Sequence, residues 1–298
     1  MRILFPLFFI FVTYFSNIAL AEERKKVGLV LSGGGAKGSA HISVLKVLED
    51  NNVPVDYIVG TSIGAYVAGM YALGYSAAEI EEIMLNAKWD DGYSDTIPRE
   101  TLHYEDKLQH DQYNLPVKLG YSNKQVKTTS GLLIGQSMRR LLKNSTNIVE
   151  TFDSFDDLAI PYRAVAADLV TSEAVVLSSG SIVDAMKASA TVPGALQPME
   201  YNGKLLVDGG IANNMPVDVV KAMGADIVIA VDIGSSLSSK ENITSTIDVL
   251  NQLSTILTSK TTEQQKALLS ENDILIRPKV GKLSTTDWSI LPEALQLG

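Results

Sequence analysis

Short apolar runs alternate along the chain with longer stretches in which apolar residues recur every three or four positions. A short apolar run between Gly, Asp or Asn residues is typical of a buried strand, whereas the longer spacing is typical of a helix that packs one face. Strands are therefore predicted near residues 27–31, 55–59, 162–167, 174–177, 204–207 and 226–231, and helices near 39–50, 63–73, 181–190 and 215–223. This alternation predicts an α/β domain of three layers, with a mostly parallel central sheet and helices on both faces.

Two regions depart from this alternation. Residues 86–150 are polar and carry aromatic residues at Trp89, Tyr93, Tyr104, Tyr113 and Tyr121. Either a lid over a ligand site or a surface segment held by aromatic anchors explains them, and the second is the plainer interpretation. Residues 243–270 predict a long helix with one apolar face, which packs on the domain or supports a homodimer. Ile274 to Pro278 predict a last short strand.

The predicted strand near residues 55–59 runs into Gly60-Thr61-Ser62-Ile63-Gly64. Gly-x-Ser-x-Gly between a strand and a helix is the nucleophile-elbow pattern, in which a tight turn exposes the serine hydroxyl. Its glycines allow backbone and substrate to approach closely. A chain with 22 glycines also produces such a pentapeptide by chance. A catalytic Ser62 is therefore predicted only in company with further motifs.

A second glycine cluster, Ser32-Gly33-Gly34-Gly35-Ala36-Lys37-Gly38, follows the first predicted strand and precedes the helix near 39–50. Backbone N–H groups gathered at a helix N-terminus bind negative charge, which is either an oxyanion formed in acyl transfer or a phosphate. The cluster therefore predicts an anion site without deciding which anion it holds.

The phosphate interpretation predicts a nucleotide-binding oxidoreductase. Gly33, Gly35 and Gly38 satisfy the dinucleotide pattern G-x-G-x-x-G, and Asp56 lies near the distance expected of a ribose ligand. The P-loop pattern fails, because Lys37 is followed by Gly38. A dinucleotide site does not require the serine elbow, so this interpretation is an alternative to acyl transfer rather than the preferred one.

The histidines limit the choice of a base for Ser62. The chain has three of them, His41, His103 and His110, and none follows residue 110. A triad in the α/β-hydrolase order of Ser, then Asp or Glu, then His therefore cannot be built. His41 lies in the first turn of the helix after the glycine cluster, where packing is the commoner role. A carboxylate acting directly on the serine is the economical alternative.

The carboxylate candidate is Asp208, where an apolar strand ends in Asp208-Gly209-Gly210. Ligands bind at the carboxyl ends of the strands of a parallel sheet. An Asp-Gly turn with its carboxylate bonded to its own backbone explains the tripeptide taken alone. The serine elbow favours the catalytic interpretation.

Together, the glycine cluster at 33–38, the elbow at 60–64 and the Asp-Gly-Gly tripeptide resemble the patatin-like phospholipases. Blocks at 166–169, 185–194 and 213–217 are also similar and follow the same order, so the resemblance covers roughly residues 25–235. It implies a patatin-like version of the three-layer fold. It also implies a serine lipid acyl hydrolase of the phospholipase A1/A2 or lysophospholipase type. Because the acidic residues are scattered without the spacing of a calcium loop, we expect hydrolysis without a metal or other cofactor.

The resemblance implies a role for each matched residue. Ser62 becomes the nucleophile and Asp208 the base, while Lys37 holds the glycine loop or an anionic head group; an ordinary surface lysine is the competing interpretation. The resemblance assigns Gly33, Gly34, Gly35 and Lys37 to the oxyanion hole. It assigns Gly60 and Gly64 to the elbow, and Gly209 and Gly210 to the Asp-Gly-Gly motif.

The N-terminus predicts export. A basic start, an apolar core from Ile3 to Phe15 and the ending Ala19-Leu20-Ala21 are typical of a secretory signal peptide. The chain is therefore divided into a signal peptide (1–21), a patatin-like phospholipase domain (22–280) and a C-terminal tail or linker (281–298). Because it has no cysteine, it does not rely on disulfides. We expect a protein of the periplasm, the outer membrane or the exterior of a Gram-negative bacterium.

The net charge and the C-terminal tail indicate which partners to expect. A net charge of −9 argues against nucleic acid, which requires a basic face. Contact with the expected partner, a phospholipid or membrane lipid, then rests on apolar surface. The tail is similar to a linker that leads, in one bacterial branch of the family, toward an outer-membrane barrel, so a longer form with such a barrel is one expectation. A non-catalytic lipid-binding module is the second alternative to an enzyme.

Overall fold

A computed structural model describes residues 24–94, 103–104, 119–122, 125–128, 133–148, 151–244 and 246–298. The predicted signal peptide, His110, Tyr113 and much of residues 86–150, for which a lid is one interpretation, lie outside the described residues. No helix in the described ranges is both long enough and apolar enough to cross a membrane.

The strands are β1 (Val27–Leu31), β2 (Tyr57–Thr61), β3 (Leu119–Ser122), β4 (Gln125–Thr128), β5 (Thr151–Phe152), β6 (Tyr162–Asp168), β7 (Ala174–Leu177), β8 (Gly180–Ser181), β9 (Met199–Tyr201), β10 (Lys204–Asp208), β11 (Ile227–Val231) and β12 (Ile274–Ile276). The α-helices are α1 (Ser39–Asp50), α2 (Ile63–Ala72), α3 (Ala77–Asn86), α4 (Trp89–Gly92), α5 (Gln136–Thr146), α6 (Ile182–Ser189), α7 (Gly210–Asn213), α8 (Val217–Ala222), α9 (Thr246–Lys266) and α10 (Leu291–Leu297).

One sheet of eight strands forms the centre of the domain. Its order is β12, β11, β1, β2, β6, β10 and β9, with β7 also paired to β6. The run from β12 to β6 is parallel, whereas β7, β9 and β10 are antiparallel to their neighbours. The prediction of a mostly parallel sheet is therefore confirmed.

The central strands are buried on both faces. Leu29, Leu31 and Ile58 belong to one apolar core, whereas the intervening Val30 and Val59 belong to a second. Because successive side chains of a strand point to opposite faces, the two cores lie on opposite sides of the sheet. Helices α1, α2, α6 and α10 contribute to the first core and α8 to the second, which gives the three predicted layers.

Three strands share the two edges of β6. Residues 162–165 of β6 pair with β2, residues 164–167 with β7, and residues 166–168 with β10. A residue within a sheet pairs with one strand on each side. The overlaps therefore place β7 on one edge, and β2 and β10 end to end on the other.

This shared edge brings together two distant parts of the chain. The strand β2 ends with Thr61 opposite Val165, and the antiparallel β10 ends with Asp208 opposite the next residue, Ala166. The residue that follows Thr61 is therefore delivered next to Asp208 by strand pairing alone.

Two predicted segments differ from the observed ones. The strand expected near 55–59 spans Tyr57–Thr61. Asp56 lies just before it, and its carboxylate accepts hydrogen bonds from Arg24 and from the Val27 amide. Residues 281–298, expected to be a tail or linker, form a 3₁₀ turn (Trp288–Ile290) and helix α10, which packs on α1.

Candidate active site

Ser62 occupies a strained turn between β2 and α2. Its backbone has φ 56° and ψ −125°, a left-handed conformation that costs a non-glycine residue about 1–3 kcal/mol. A Cβ at Gly60 would lie 2.3 Å from the Gly64 carbonyl oxygen, and one at Gly64 would lie 2.2 Å from the Leu31 carbonyl oxygen. Both glycines of the predicted elbow are therefore required by close backbone packing.

Ser62 and Asp208 form a hydrogen-bonded pair. The Ser62 Oγ donates to Asp208 Oδ2 at 2.6 Å, and the Gly210 amide donates to Asp208 Oδ1 at 2.8 Å. A Cβ at Gly209 would lie 2.0 Å from the Val165 carbonyl oxygen. The glycines after Asp208 thus allow the chain to turn against β6 while one amide orients the carboxylate toward the serine.

The environment of Asp208 makes its carboxylate a better proton acceptor. The side chain is half-buried, and burial raises its pKa to about 6, against the lowering effect of the hydrogen bonds from Ser62 and Gly210. A carboxylate with a raised pKa is still ionised at neutral pH and takes a proton more readily than an ordinary aspartate. The pair therefore has the chemistry of a nucleophile and its general base.

The glycine loop lies beside the nucleophile and has two engaged amides. A Cβ at Gly33 would lie 3.1 Å from the Ser62 Cβ. The Gly33 amide donates to the Asn214 carbonyl at 3.2 Å, and the Ala36 amide donates to the Thr285 carbonyl at 2.9 Å. Among the described residues, the intervening amides of Gly34 and Gly35 have no acceptor. They are the available donors for an oxyanion.

Lys37 is buried behind this loop. Its side chain is fully covered, and its Nζ donates to Ser235 Oγ at 2.8 Å. Burial lowers its pKa to about 8, while the negative charge of Asp232 acts in the opposite direction. This ammonium supports the loop from the protein interior and does not lie on the surface.

His41 does not join the pair. It is fully buried, and its Nε2 lies 2.8 Å from the Ser32 carbonyl oxygen. A carbonyl only accepts, so Nε2 carries the proton and donates. Burial lowers the pKa of His41 to about 4, which keeps the ring neutral. Its position is that of a packing residue that holds the start of the glycine loop.

The nucleotide alternative lacks its ribose ligand. Asp56 precedes β2 and accepts a hydrogen bond from the amide of Val27, the first residue of β1. The glycine loop follows Leu31, at the other end of β1. A dinucleotide lies across the carboxyl ends of the strands, whereas Asp56 is at their amino ends. In the described ranges there is also no cluster of three His, Asp or Glu side chains suited to a metal ion.

Two supporting residues were not among the predicted site residues. Ser189 Oγ accepts from the Ser62 amide at 2.8 Å and donates to the Val165 carbonyl at 2.5 Å. The backbone carbonyl of Asn214 accepts a hydrogen bond from the Gly33 amide, as described above. The side-chain Nδ2 of Asn214 donates to Thr262 Oγ1 at 3.3 Å. Both lie in blocks that resembled the family, but a single sequence does not distinguish a site support from an ordinary polar residue.

An aromatic cluster connects α2, α4 and the C-terminal segment. Trp89 is buried, packs edge to face on Tyr66 with ring centroids 5.1 Å apart, and stacks on Trp288 at 4.5 Å. Tyr93 stacks on the same Trp288 at 6.1 Å. Burial and the charge of Asp208 raise the pKa of Tyr93, so this ring lies within electrostatic reach of the base. Trp89 is an anchor in the protein and not an exposed lipid contact.

The chain is similar to several known proteins. The sequence profile described as patatin-like phospholipase matches residues 29–221. Patatin-like phospholipase domain-containing protein 6 of Homo sapiens is 34% identical over 224 residues, which cover 74% of this chain and 14% of that protein. Lysophospholipase NTE1 of Yarrowia lipolytica is 30% identical over 221 residues, again 74% of this chain and 14% of that protein. Among solved structures, VipD from Legionella pneumophila has a TM-score of 0.43 and 15% identity, and the match covers 92% of this chain and 67% of that one.

Proposed function

Since the chain belongs to the patatin-like phospholipase family, we propose that it is a lipid acyl hydrolase in which Ser62 is the nucleophile and Asp208 its general base. The observation that carries this proposal is the 2.6 Å hydrogen bond from Ser62 Oγ to Asp208 Oδ2, made by a serine with φ 56°. Strain at a functional turn is retained where it positions a reacting group.

The reaction has two acyl transfers. Asp208 takes the proton of Ser62 as Oγ attacks the ester carbonyl carbon, and the amides of Gly34 and Gly35 stabilise the oxyanion. Collapse of this intermediate expels the alcohol, which receives the proton from Asp208, and leaves an acyl-serine. Water then attacks the acyl-serine, gives its proton to Asp208, and releases the fatty acid while the serine recovers its proton. No step requires a metal or other cofactor.

Phospholipids and lysophospholipids are the proposed substrates. A relative that is named a lysophospholipase supports this class. The matched stretch covers 14% of the length of the curated relatives described above. Cleavage of either the sn-1 or the sn-2 ester, or of the single ester of a lysolipid, uses the same pair of residues.

The test is fatty-acid release from phosphatidylcholine that carries a different acyl chain at each position, with lysophosphatidylcholine in parallel. We compare the wild-type protein with Ser62→Ala and Asp208→Asn. The matched controls are Ser179→Ala and Asp153→Asn, which change exposed residues outside the site. Release by the wild type and by both controls, with loss of at least about a thousandfold in the two site variants, supports the proposal.

Other outcomes favour the alternatives. Binding to liposomes without release of product would contradict the hydrolase and favour a lipid-binding module. A rise in melting temperature with a nicotinamide dinucleotide would favour the nucleotide-binding interpretation. Activity that needs added calcium would contradict the metal-independent mechanism.

Export through the first 21 residues is part of the proposal. It is supported by the basic, apolar and small-residue order of that segment. The curated relatives described above are animal and yeast proteins, so the bacterial, secreted context stays a prediction. Sequencing the N-terminus of the protein recovered from a Gram-negative periplasm tests it: a start at Glu22 is expected, and a start at Met1 would contradict export with cleavage.

A further inference from the structure

The segment Thr285–Gly298, here named the C-terminal strap, contacts the glycine loop directly. The Thr285 carbonyl accepts a hydrogen bond from the Ala36 amide at 2.9 Å. A Cβ at Gly35 would lie only 2.1 Å from the Thr285 oxygen, and Gly35 has φ 61°. The backbones of loop and strap are therefore in contact. The strap lies beyond residues 29–221, the range that the family profile matches.

The pattern of engaged amides shows what this contact does. Gly33 is bound to the Asn214 carbonyl on one side and Ala36 to the Thr285 carbonyl on the other. The amides of Gly34 and Gly35 lie between these two fixed points, and no described residue accepts from them. Two outer hydrogen bonds thus hold a short run of backbone whose inner donors are available to a ligand.

The strap is fastened on both sides of the loop. Trp288 stacks on Trp89 with ring planes at 11°. On the other side, Ser39 Oγ donates to the Leu291 carbonyl at 2.8 Å, and Ser43 Oγ donates to the Leu295 carbonyl at 2.5 Å. Both serines are on α1, the helix that follows the loop. A strap held by α1 and by the aromatic cluster has little freedom to carry Thr285 away from Ala36.

We propose that the C-terminal strap is a positioning element of the active site, which holds the glycine loop so that the Gly34 and Gly35 amides receive the oxyanion. This inference rests on the proposed hydrolase function. Thr285 acts through its carbonyl, and Trp288 acts through the stack that keeps Thr285 in place. Neither residue takes part in the proton transfers. Loosening the strap therefore weakens stabilisation of the transition state more than binding of the ground-state ester.

The first test uses Trp288→Ala in the full chain, with Trp288→Phe as the conservative variant and Gln296→Ala, an exposed strap residue, as control. Turnover is measured on a soluble short-chain ester. We expect kcat to fall about tenfold or more in Trp288→Ala with KM little changed, because a displaced oxyanion donor acts on the chemical step. Affinity for a fatty acyl trifluoromethyl ketone, whose serine adduct presents an oxyanion, falls by a similar factor. The Trp288→Phe variant is expected to keep most of the wild-type kcat and most of the affinity for the ketone.

Hydrogen exchange at the loop gives a readout that does not depend on activity. The Ala36 amide is expected to exchange faster in Trp288→Ala than in the wild type and in Gln296→Ala. Unchanged exchange at Ala36, or unchanged kcat despite faster exchange, would overturn the strap proposal. A wild type that cleaves no ester would overturn the proposed hydrolase and the oxyanion role with it. Exchange at Ala36 would then still decide whether the strap holds the loop.

A second variant covers the case in which Trp288→Ala fails to fold. Ser39→Ala/Ser43→Ala keeps both tryptophans of the chain, whose stack at 4.5 Å gives an exciton couplet in circular dichroism. Loss of the couplet together with loss of kcat supports the proposal. Loss of the couplet with wild-type kcat contradicts it, and a couplet and kcat that both stay at wild-type level contradict the fastening role of the two serines.

Discussion

At the scale of single residues, the reactivity of the site comes from how two ordinary side chains are surrounded. Ser62 is held in a strained backbone conformation, and Asp208 is half-buried beside it. The Asp208 carboxylate keeps two hydrogen bonds, from Ser62 Oγ and from the Gly210 amide. These bonds keep the charged form accessible, while burial raises the pKa to about 6. A base of this kind needs no histidine.

The pH dependence of activity follows from this balance. The base acts only when ionised, so kcat/KM should fall as the pH drops below about 6, the pKa of Asp208, approaching a tenfold loss per pH unit. The measurement is kcat/KM on a soluble ester between pH 4.5 and 8.5. Circular dichroism over the same range shows whether the fold persists. A flat profile in the folded protein would exclude Asp208 as the titrating base.

At the scale of elements, the elbow is formed by the close crossing of β1, β2 and α2. Gly64, in the first turn of α2, lies against the Leu31 carbonyl at the end of β1. Helix α2 is apolar on nearly all sides, with Ile63, Val67 and Met70 among its buried residues. Such a helix is stable only inside the domain. Its close approach to the sheet sets the position of Ser62, and that approach requires glycine.

Although Gly64→Ala adds only one methyl group, it should therefore lower both the stability and the activity of the protein strongly. The new methyl group would lie 2.2 Å from a backbone oxygen, so α2 must shift. We expect a loss of unfolding free energy of about 1–3 kcal/mol or more, together with loss of activity. Gly281→Ala is the control, because its Cβ would meet its nearest atom at 3.5 Å. Denaturant unfolding compares the two, and equal stability would refute the packing explanation of the elbow.

At the scale of the whole molecule, an ion cluster connects elements of the C-terminal third to the glycine loop. Lys266 at the end of α9 contacts Asp232 after β11 at 2.9 Å, and Arg277 after β12 contacts the same carboxylate at 3.2 Å. The negative charge of Asp232 also acts on the buried Lys37, where it opposes the lowering of the pKa by burial. The ion cluster thus links α9, β11 and β12 to the support of the glycine loop.

Asp232→Asn tests that link. The Asp232 side chain is 3% exposed. Because Lys266 keeps Glu263 as a partner and Arg277 is exposed, we expect a loss of about 1–3 kcal/mol of unfolding free energy. Burial raises the pKa of Asp232, but bonds from Lys266 and Gly234 outweigh it and hold the pKa below the usual value. The carboxylate therefore stabilises the fold at neutral pH, and this contribution is lost as the pH falls through that lowered pKa. Thermal unfolding at pH 7 should show the loss, with Asp153→Asn as control; equal melting temperatures would contradict it.

Local patterns were sufficient for much of this protein. Alternating apolar runs predict the parallel core of the sheet because a strand buried on both faces has no polar alternation. The pentapeptide at 60–64 predicts the turn between β2 and α2 because its glycines permit a backbone crossing that other residues do not. The motifs after β1, β2 and β10 predict the reacting groups, since a glycine cluster, a serine elbow and an Asp-Gly-Gly turn are recognisable from local residue type and spacing.

Other features depended on contacts between residues far apart in the chain. Ser62 and Asp208 meet because β2 and β10 share one edge of β6. No local sequence pattern specifies that strand order. Burial of Lys37 and His41 depends on which segments cover the glycine loop. The docking of Thr285 and Trp288 does not follow from the sequence, because the resemblance assigns residues 281–298 to a tail or linker, and their contacts are with the distant α1 and Trp89. The sequence by itself determined the elements and the reacting groups, through local backbone geometry and side-chain chemistry. The tertiary structure alone decided their partners, burial and pKa values, because these depend on long-range packing and on the exclusion of water.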